Sequence, residues 1–90
     1  MDPFFENAHY NLAKIYAQSG DTEQALCHYR EAVRLNPEFV QAYNDLGVLL
    51  FKMGKPADAT AAFQKALSIK PDYFEALNNL HYIQNKGVKP

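Results

Sequence analysis

The sequence predicts an all-α solenoid of antiparallel helical hairpins, about five helices in one domain, and three observations carry that reading. First, the chain repeats itself at a spacing of 34 residues. Pro3, Phe5, Ala8, Leu12, Gly20, Ala25 and Ala32 align with Pro37, Phe39, Ala42, Leu46, Gly54, Ala59 and Ala66, and Pro71, Ala76, Asn78 and Leu80 extend the register. Such a period marks stacked supersecondary units. Second, apolar residues return at three- and four-residue steps, the signature of amphipathic helices. Third, Gly and Pro stand at the breaks between those stretches. The shared residues are nearly all small, apolar, Gly or Pro, so what repeats is a backbone path and a packing pattern.

Taken in order, Asp2-Pro3 opens the first helix, with Asp as N-cap and Pro where no helical N–H is missed. Ala8, Leu12, Ile15 and Ser19, with His9 and Tyr16 alongside, define its expected buried stripe. Gly20 stops it, and Asp21 caps the second helix with Gln24 as partner three residues on. That helix buries Ala25, Leu26, Tyr29, Ala32, Val33 and Leu35 and ends at Asn36-Pro37, where Asn36 is expected to cap the next. Helix three is expected from about Glu38 to Met53, burying Ala42, Tyr43, Leu46, Gly47, Leu49, Leu50 and Met53. After the Gly54-Lys55-Pro56 turn, helix four runs to about Ile69 and buries Ala59, Phe63, Ala66, Leu67 and Ile69. Pro71 breaks it, and helix five runs from Asp72 to about Lys86, ended by Gly87, with a fraying tail beyond. Ala13 and Gly47 share one repeat slot, faced by Ala25/Ala32 and Ala59/Ala66, so each helix pair approaches closely beside Tyr29 or Phe63.

Composition narrows the class. Ninety residues is a length at which one compact core is marginal, a problem that stacked repeats solve. With 48% hydrophobic and 21% charged residues the chain is a soluble folded one. Acids and bases are interspersed and the net charge is -1, which favours neither nucleic acid nor an anionic membrane as partner. The longest apolar run, Gly47 to Phe51, is far too short to span a bilayer, and the first residues lack a signal-peptide pattern. A single cysteine, Cys27, forbids an internal disulfide and suits a reducing compartment such as the cytoplasm.

The pattern resembles the tetratricopeptide repeat family. The second unit carries Tyr43, Leu46-Gly47, Leu50, Gly54, Ala59, Phe63, Ala66 and Pro71, and the first carries Leu12-Ala13, Tyr16, Gly20, Ala25, Tyr29, Ala32 and Pro37, with His9 in the usual aromatic slot. Repeat one is then about residues 4–36, repeat two about 37–70, and the remainder to 87 a capping helix. The resemblance implies a right-handed superhelix whose first helices line a concave groove that binds peptides or protein segments, without catalysis by the repeats. His81 and Gln84 occupy slots that are apolar or small in the earlier helices, so helix five reads as a solvating cap. Phe4 departs from the repeat, since Glu38 and Asp72 hold its slot. With Phe5 it suggests either a cut from a longer array or a self-association surface through which the chain forms a homo-oligomer.

In that geometry the groove is lined by Asn7, Tyr10, Asn11, Lys14 and Gln18, then Gln41, Asn44, Asp45, Val48 and Lys52, then Glu75, Asn78, Asn79, Tyr82 and Lys86. Side-chain amides both donate and accept, so they pair with a peptide backbone whatever its sequence. The row Asn11, Asp45, Asn79 is similar to the asparagine ladder of protein O-GlcNAc transferases, with Asp45 interrupting it; Asn44 and Asn78 form a second row. The alternative reading is that Asn is merely tolerated at exposed helical sites. The family's clamp for acidic chaperone tails needs basic and amide residues where this chain has Tyr10, Lys14, Asp45, Glu75 and Asn79, so that mode is rejected. Lys14, Lys52 and Lys86 make a weakly basic line, explained equally by solvated groove edges.

No motif calls for a catalytic centre, a cofactor or a metal. Cys27 and His28 are adjacent and diverge on a helix, so a structural thiol and a solvated imidazole are expected; His9 is expected to be half-buried. The function expected is a protein-binding scaffold, with a substrate-recruiting arm of a larger glycosyltransferase-like enzyme and a self-association module as alternatives.

Overall fold

A computed structural model describes residues 5–87, with the side chains of 86 and 87 left aside. Asp2, Pro3, Phe4, the Lys86 side chain and the residues after Gly87 lie outside the described residues, and so do the expectations placed on them. Five helices follow one another: α1 (Phe5–Gln18), α2 (Thr22–Leu35), α3 (Val40–Lys52), α4 (Pro56–Ile69) and α5 (Phe74–Gly87). The close pairs are α1 with α2 and α3 with α4, and α2–α3 and α4–α5 contacts join the units. The result is elongated, 48 × 29 × 16 Å, as expected of a stack rather than a sphere.

The turns inside the two hairpins are built alike. Gly20 and Gly54 adopt φ values of 87° and 80°, which L side chains resist. Asp21 N–H then reaches Tyr16 C=O at 2.9 Å, and Lys55 N–H reaches Leu50 C=O at 2.9 Å. These bonds close the helix ends by satisfying carbonyls that lack intrahelical partners. Asp21 Oδ1 accepts from Gln24 N–H at 3.3 Å, the predicted cap of α2. Pro56 sits in the first turn of α4, where its missing N–H is harmless.

The joints between hairpins match even more closely. Asn36 has φ -133° and ψ 92°, and Lys70 has φ -135° and ψ 92°. Here the helix starts differ from expectation. Pro37 and Glu38 form a turn instead of the first turn of α3, with Phe39 N–H bonded to Asn36 C=O at 3.0 Å. Asn36 Oδ1 accepts from Glu38 N–H at 3.1 Å, and its amide donates to Glu6 Oε2 at 2.9 Å, so it shapes the turn and does not cap α3. Tyr73 N–H bonds Lys70 C=O at 3.0 Å in the same way, and α5 starts at Phe74. An Asn-Pro pair fits a cap or an Asx turn equally well, and the reversal between hairpins needs the turn.

The core is a ladder of small residues. Ala13, Ala25, Ala32, Ala42, Ala59, Ala66 and Ala76 are completely buried, beside Tyr29 and Phe63. Ala62 joins them, a buried position the apolar spacing had not singled out. Burying a side chain such as Phe63 stabilises by about 1.5–3 kcal/mol.

The expected stripe of α1 is not buried. Phe5, Leu12 and Ile15 are 54%, 40% and 60% exposed, and Ala8 and Ser19 are exposed too. Their counterparts one repeat on, Phe39 just before α3 and Leu46 and Leu49 within it, fall to 9%, 8% and 4%. The residue types barely differ; in α3 this face packs on α2, while α1 has no helix on that side among the described residues. What α1 buries fully is Ala13, on the face toward its own partner helix.

His28 is not a solvated imidazole. Its ring lies 5.5 Å from that of Tyr16, nearly parallel, and its Nδ1 is 2.9 Å from His9 Nδ1, where one ring donates and the other accepts. His9 is half-buried as expected, and Cys27 is exposed and points away.

Candidate functional site

The side chains expected to line a groove come from α1, α3 and α5, at polar slots one repeat apart. Two polar cross-links tie these helices together. Tyr10 OH donates to Asp45 Oδ2 at 2.7 Å, and Asn79 Nδ2 donates to Asn44 Oδ1 at 3.0 Å. Adding 34 to the first pair gives the second, so one cross-link occurs twice with its donor on opposite sides. Asn44 is only 6% exposed, so this amide, expected to face a ligand, instead holds α3 to α5. The expected amide ladder is therefore uneven: Asn11 and Asn78 are exposed, whereas Asn44 and Asn79 pair with each other.

Tyr10 is held by packing as well as by its hydroxyl. Its ring lies 4.9 Å from Phe39 and 6.1 Å from Tyr29, with Lys14 Nζ 5.2 Å above it. Burial pushes its phenol well above the ordinary value, and the hydrogen bond and charge of Asp45 add to the rise. Burial raises Tyr29 to about 12, with Asp45 contributing. Both phenols therefore stay protonated, and Tyr10 remains a donor. Burial also raises the Asp45 carboxyl, and nearby Glu75 adds to this; the Tyr10 hydrogen bond and Lys14 work against it.

Two clefts open along this face. One, of about 230 Å³, lies between α1 and α3 and is lined by Lys14, Ala17, Gln18, Thr22, Tyr29, Asp45, Val48, Leu49 and Lys52. The other, of about 290 Å³, lies between α3 and α5 and is lined by Val48, Phe51, Lys52, Phe63, Asn79, Tyr82 and Ile83. Shifted by 34 residues, Lys14, Ala17, Gln18, Tyr29, Asp45, Val48 and Leu49 become the lining of the second cleft. They are one site made twice, with Lys14, Asp45 and Lys52 charged in the first and Lys52 alone charged in a largely apolar second. Tyr82, whose ring meets Phe51 edge-on at 5.7 Å, forms part of the apolar wall.

Of the expected groove residues, Lys14, Gln18, Asp45, Val48, Lys52, Asn79 and Tyr82 line a cleft, and Tyr10 supports one through Asp45. Asn7, Asn11, Gln41, Glu75 and Asn78 are exposed but line neither. Sequence reasoning missed Ala17, Thr22, Tyr29, Leu49, Phe51, Phe63 and Ile83 as cleft walls. Part of the signal was present, since Tyr29, Leu49 and Phe63 are expected in the core, and a cleft floor is core seen from outside. Among the described residues no group of three or more His, Cys, Asp or Glu side chains is arranged to hold a metal. No described helix is long and apolar enough to cross a membrane.

Helical hairpins stacked in a fixed 34-residue register define a helical-repeat scaffold. A profile described as TPR repeat matches residues 13–54, and one described as tetratricopeptide repeat matches residues 40–73. Together they span 13–73, and the chain belongs to the tetratricopeptide repeat family. No curated protein sequence matches it.

Among solved structures, the crystal structure of MamA superposes with a TM-score of 0.89 at 27% identity, covering 97% of this chain and 52% of that one. A second crystal structure of the MamA protein gives 0.88 at 27% identity, covering 97% and 48%. The first TPR of Spaghetti (RPAP3) bound to the HSP90 peptide SRMEEVD gives 0.88 at 27% identity, covering 98% and 70%. The chain thus spans about half the length of the MamA chains it resembles.

Proposed function

We propose that this chain is a protein-interaction scaffold that captures an extended peptide or protein segment along the α1–α3–α5 face, acting by binding alone. The observation that carries the reading is the pair of equivalent clefts, joined through Val48 and Lys52, which line both. A segment laid across them presents successive side chains to a charged site and then to an apolar one. The similar structure with a bound peptide supports this mode. It does not carry over the ligand, because Tyr10, Asp45 and Glu75 stand where a clamp for an acidic tail needs basic or amide side chains. A reducing compartment, the cytoplasm, is the setting we infer from the exposed free thiol of Cys27.

The test is selection from a random peptide library, with binding of the enriched peptides measured to the protein and to Val48→Arg. Arg at the shared wall fills both clefts, and affinity should fall at least about tenfold while helicity is kept. Peptides that bind both proteins equally would place recognition elsewhere.

A further inference from the structure

The bare face of α1 has an acceptor within this chain. The face that α3 lays on α2 is Phe39, Ala42, Leu46 and Leu49, and the face that α5 lays on α4 is Tyr73, Ala76, Leu80 and Ile83. α1 carries Phe5, Ala8, Leu12 and Ile15 at the same slots, and all four are exposed. The receiving surfaces also match: Ala25, Tyr29, Ala32 and Val33 on α2 become Ala59, Phe63, Ala66 and Leu67 on α4. The described residues therefore hold three donor faces and two acceptors, and the unpaired donor carries larger exposed apolar groups than a solvated surface needs.

We propose that the chain associates head to tail with a second copy of itself, α1 of one molecule taking the place of α5 on α4 of the next. The seam formed continues the one already present between α2 and α3, so the two molecules join in the register of a single solenoid. An α1–α1 pairing would instead set two single-helix faces against each other, with no counterpart among the packings observed. The exchange releases one apolar seam and forms one of the same composition. What holds α5 in place is its covalent tether, which gives it an effective concentration of the order of millimolar. α5 is nonetheless weakly embedded: Ala76 is its one fully buried residue among the described side chains, and Phe74 and Tyr82 are largely exposed. Because donor and acceptor are different surfaces, the contact does not close on itself, and the assembly grows with concentration.

Sedimentation equilibrium from about 10 μM to 1 mM tests this with three proteins. The unsubstituted chain should be monomeric at the low end and show mass increase only toward the high end. Leu80→Ala trims the α5 seam and leaves the acceptor on α4 intact, so association should strengthen at least about tenfold. Leu80→Ala with Leu12→Glu should return to monomer, since the charge falls on the donor face. If Leu80→Ala costs more helicity than α5 contains, Tyr73→Ser loosens the same seam and replaces it. Absence of association in both loosened variants at 1 mM overturns the proposal. So does association that Leu12→Glu leaves intact, or growth that stops at a dimer.

Discussion

Gly47 and Phe63 meet so closely that a Cβ on Gly47 would lie 2.6 Å from the Phe63 ring. Phe63 is the largest completely buried side chain among the described residues, so its ring can yield only by shifting toward the α3–α5 cleft that it lines. In the first hairpin Ala13 occupies the slot of Gly47 and Tyr29 that of Phe63, and there a methyl group is accommodated.

Gly47→Ala should therefore destabilise, although Ala is the better helix former by about 1 kcal/mol. Overpacking costs about 1–3 kcal/mol and outweighs that gain. The net loss expected is about 1 kcal/mol in urea unfolding. In a Phe63→Leu background, the same substitution should become neutral or stabilising.

Asp45→Asn should stabilise at neutral pH. The folded carboxyl titrates above its unfolded value, mainly because burial strips its water. A raised acid contributes stability that is fully present below the unfolded value, near pH 4, and is lost as pH rises through the folded one. Asn keeps the acceptor for Tyr10 and has no charge to desolvate. Thermal melts should show a higher Tm at pH 7, with the gain shrinking toward zero at pH 3.

His28→Ala should cost about 1–2 kcal/mol in urea unfolding, removing both its contact with Tyr16 and its bond to His9. Cys27→Ser, one residue away on the exposed side, should stay within about 0.5 kcal/mol of the starting protein.

Asn79→Ala should cost about 1–2 kcal/mol in the same measurement, by leaving the buried Asn44 carbonyl without its donor. Asn11→Ala, exposed on the same row, should be neutral for folding, and the contrast separates structural from solvent-facing amides.

Much of this was legible in the sequence because the period carries it. Gly20 and Gly54 mark identical turns, and Ala25/Ala59 and Ala32/Ala66 mark identical approaches, so each hairpin could be read from the other. The cross-links Tyr10–Asp45 and Asn44–Asn79 were not legible, because their partners stand 35 residues apart and belong to different slots of the repeat. A periodic pattern shows which residues are equivalent, whereas hydrogen bonds join residues that are not. The exposure of Leu12 and Ile15 escaped for a related reason. Their slots inherit burial from the repeat, but burial depends on what lies alongside, and that is a property of place in the stack.

The two joints at Asn36 and Lys70 differ by 2° in φ and agree in ψ. Each hairpin therefore hands over to the helix that follows it through the same backbone geometry, and the fold works as a ruler with a constant graduation. A further hairpin spliced in after Asn36 would displace everything downstream by one such step. Recognition length is then adjustable in whole increments, without retuning any torsion in the spine.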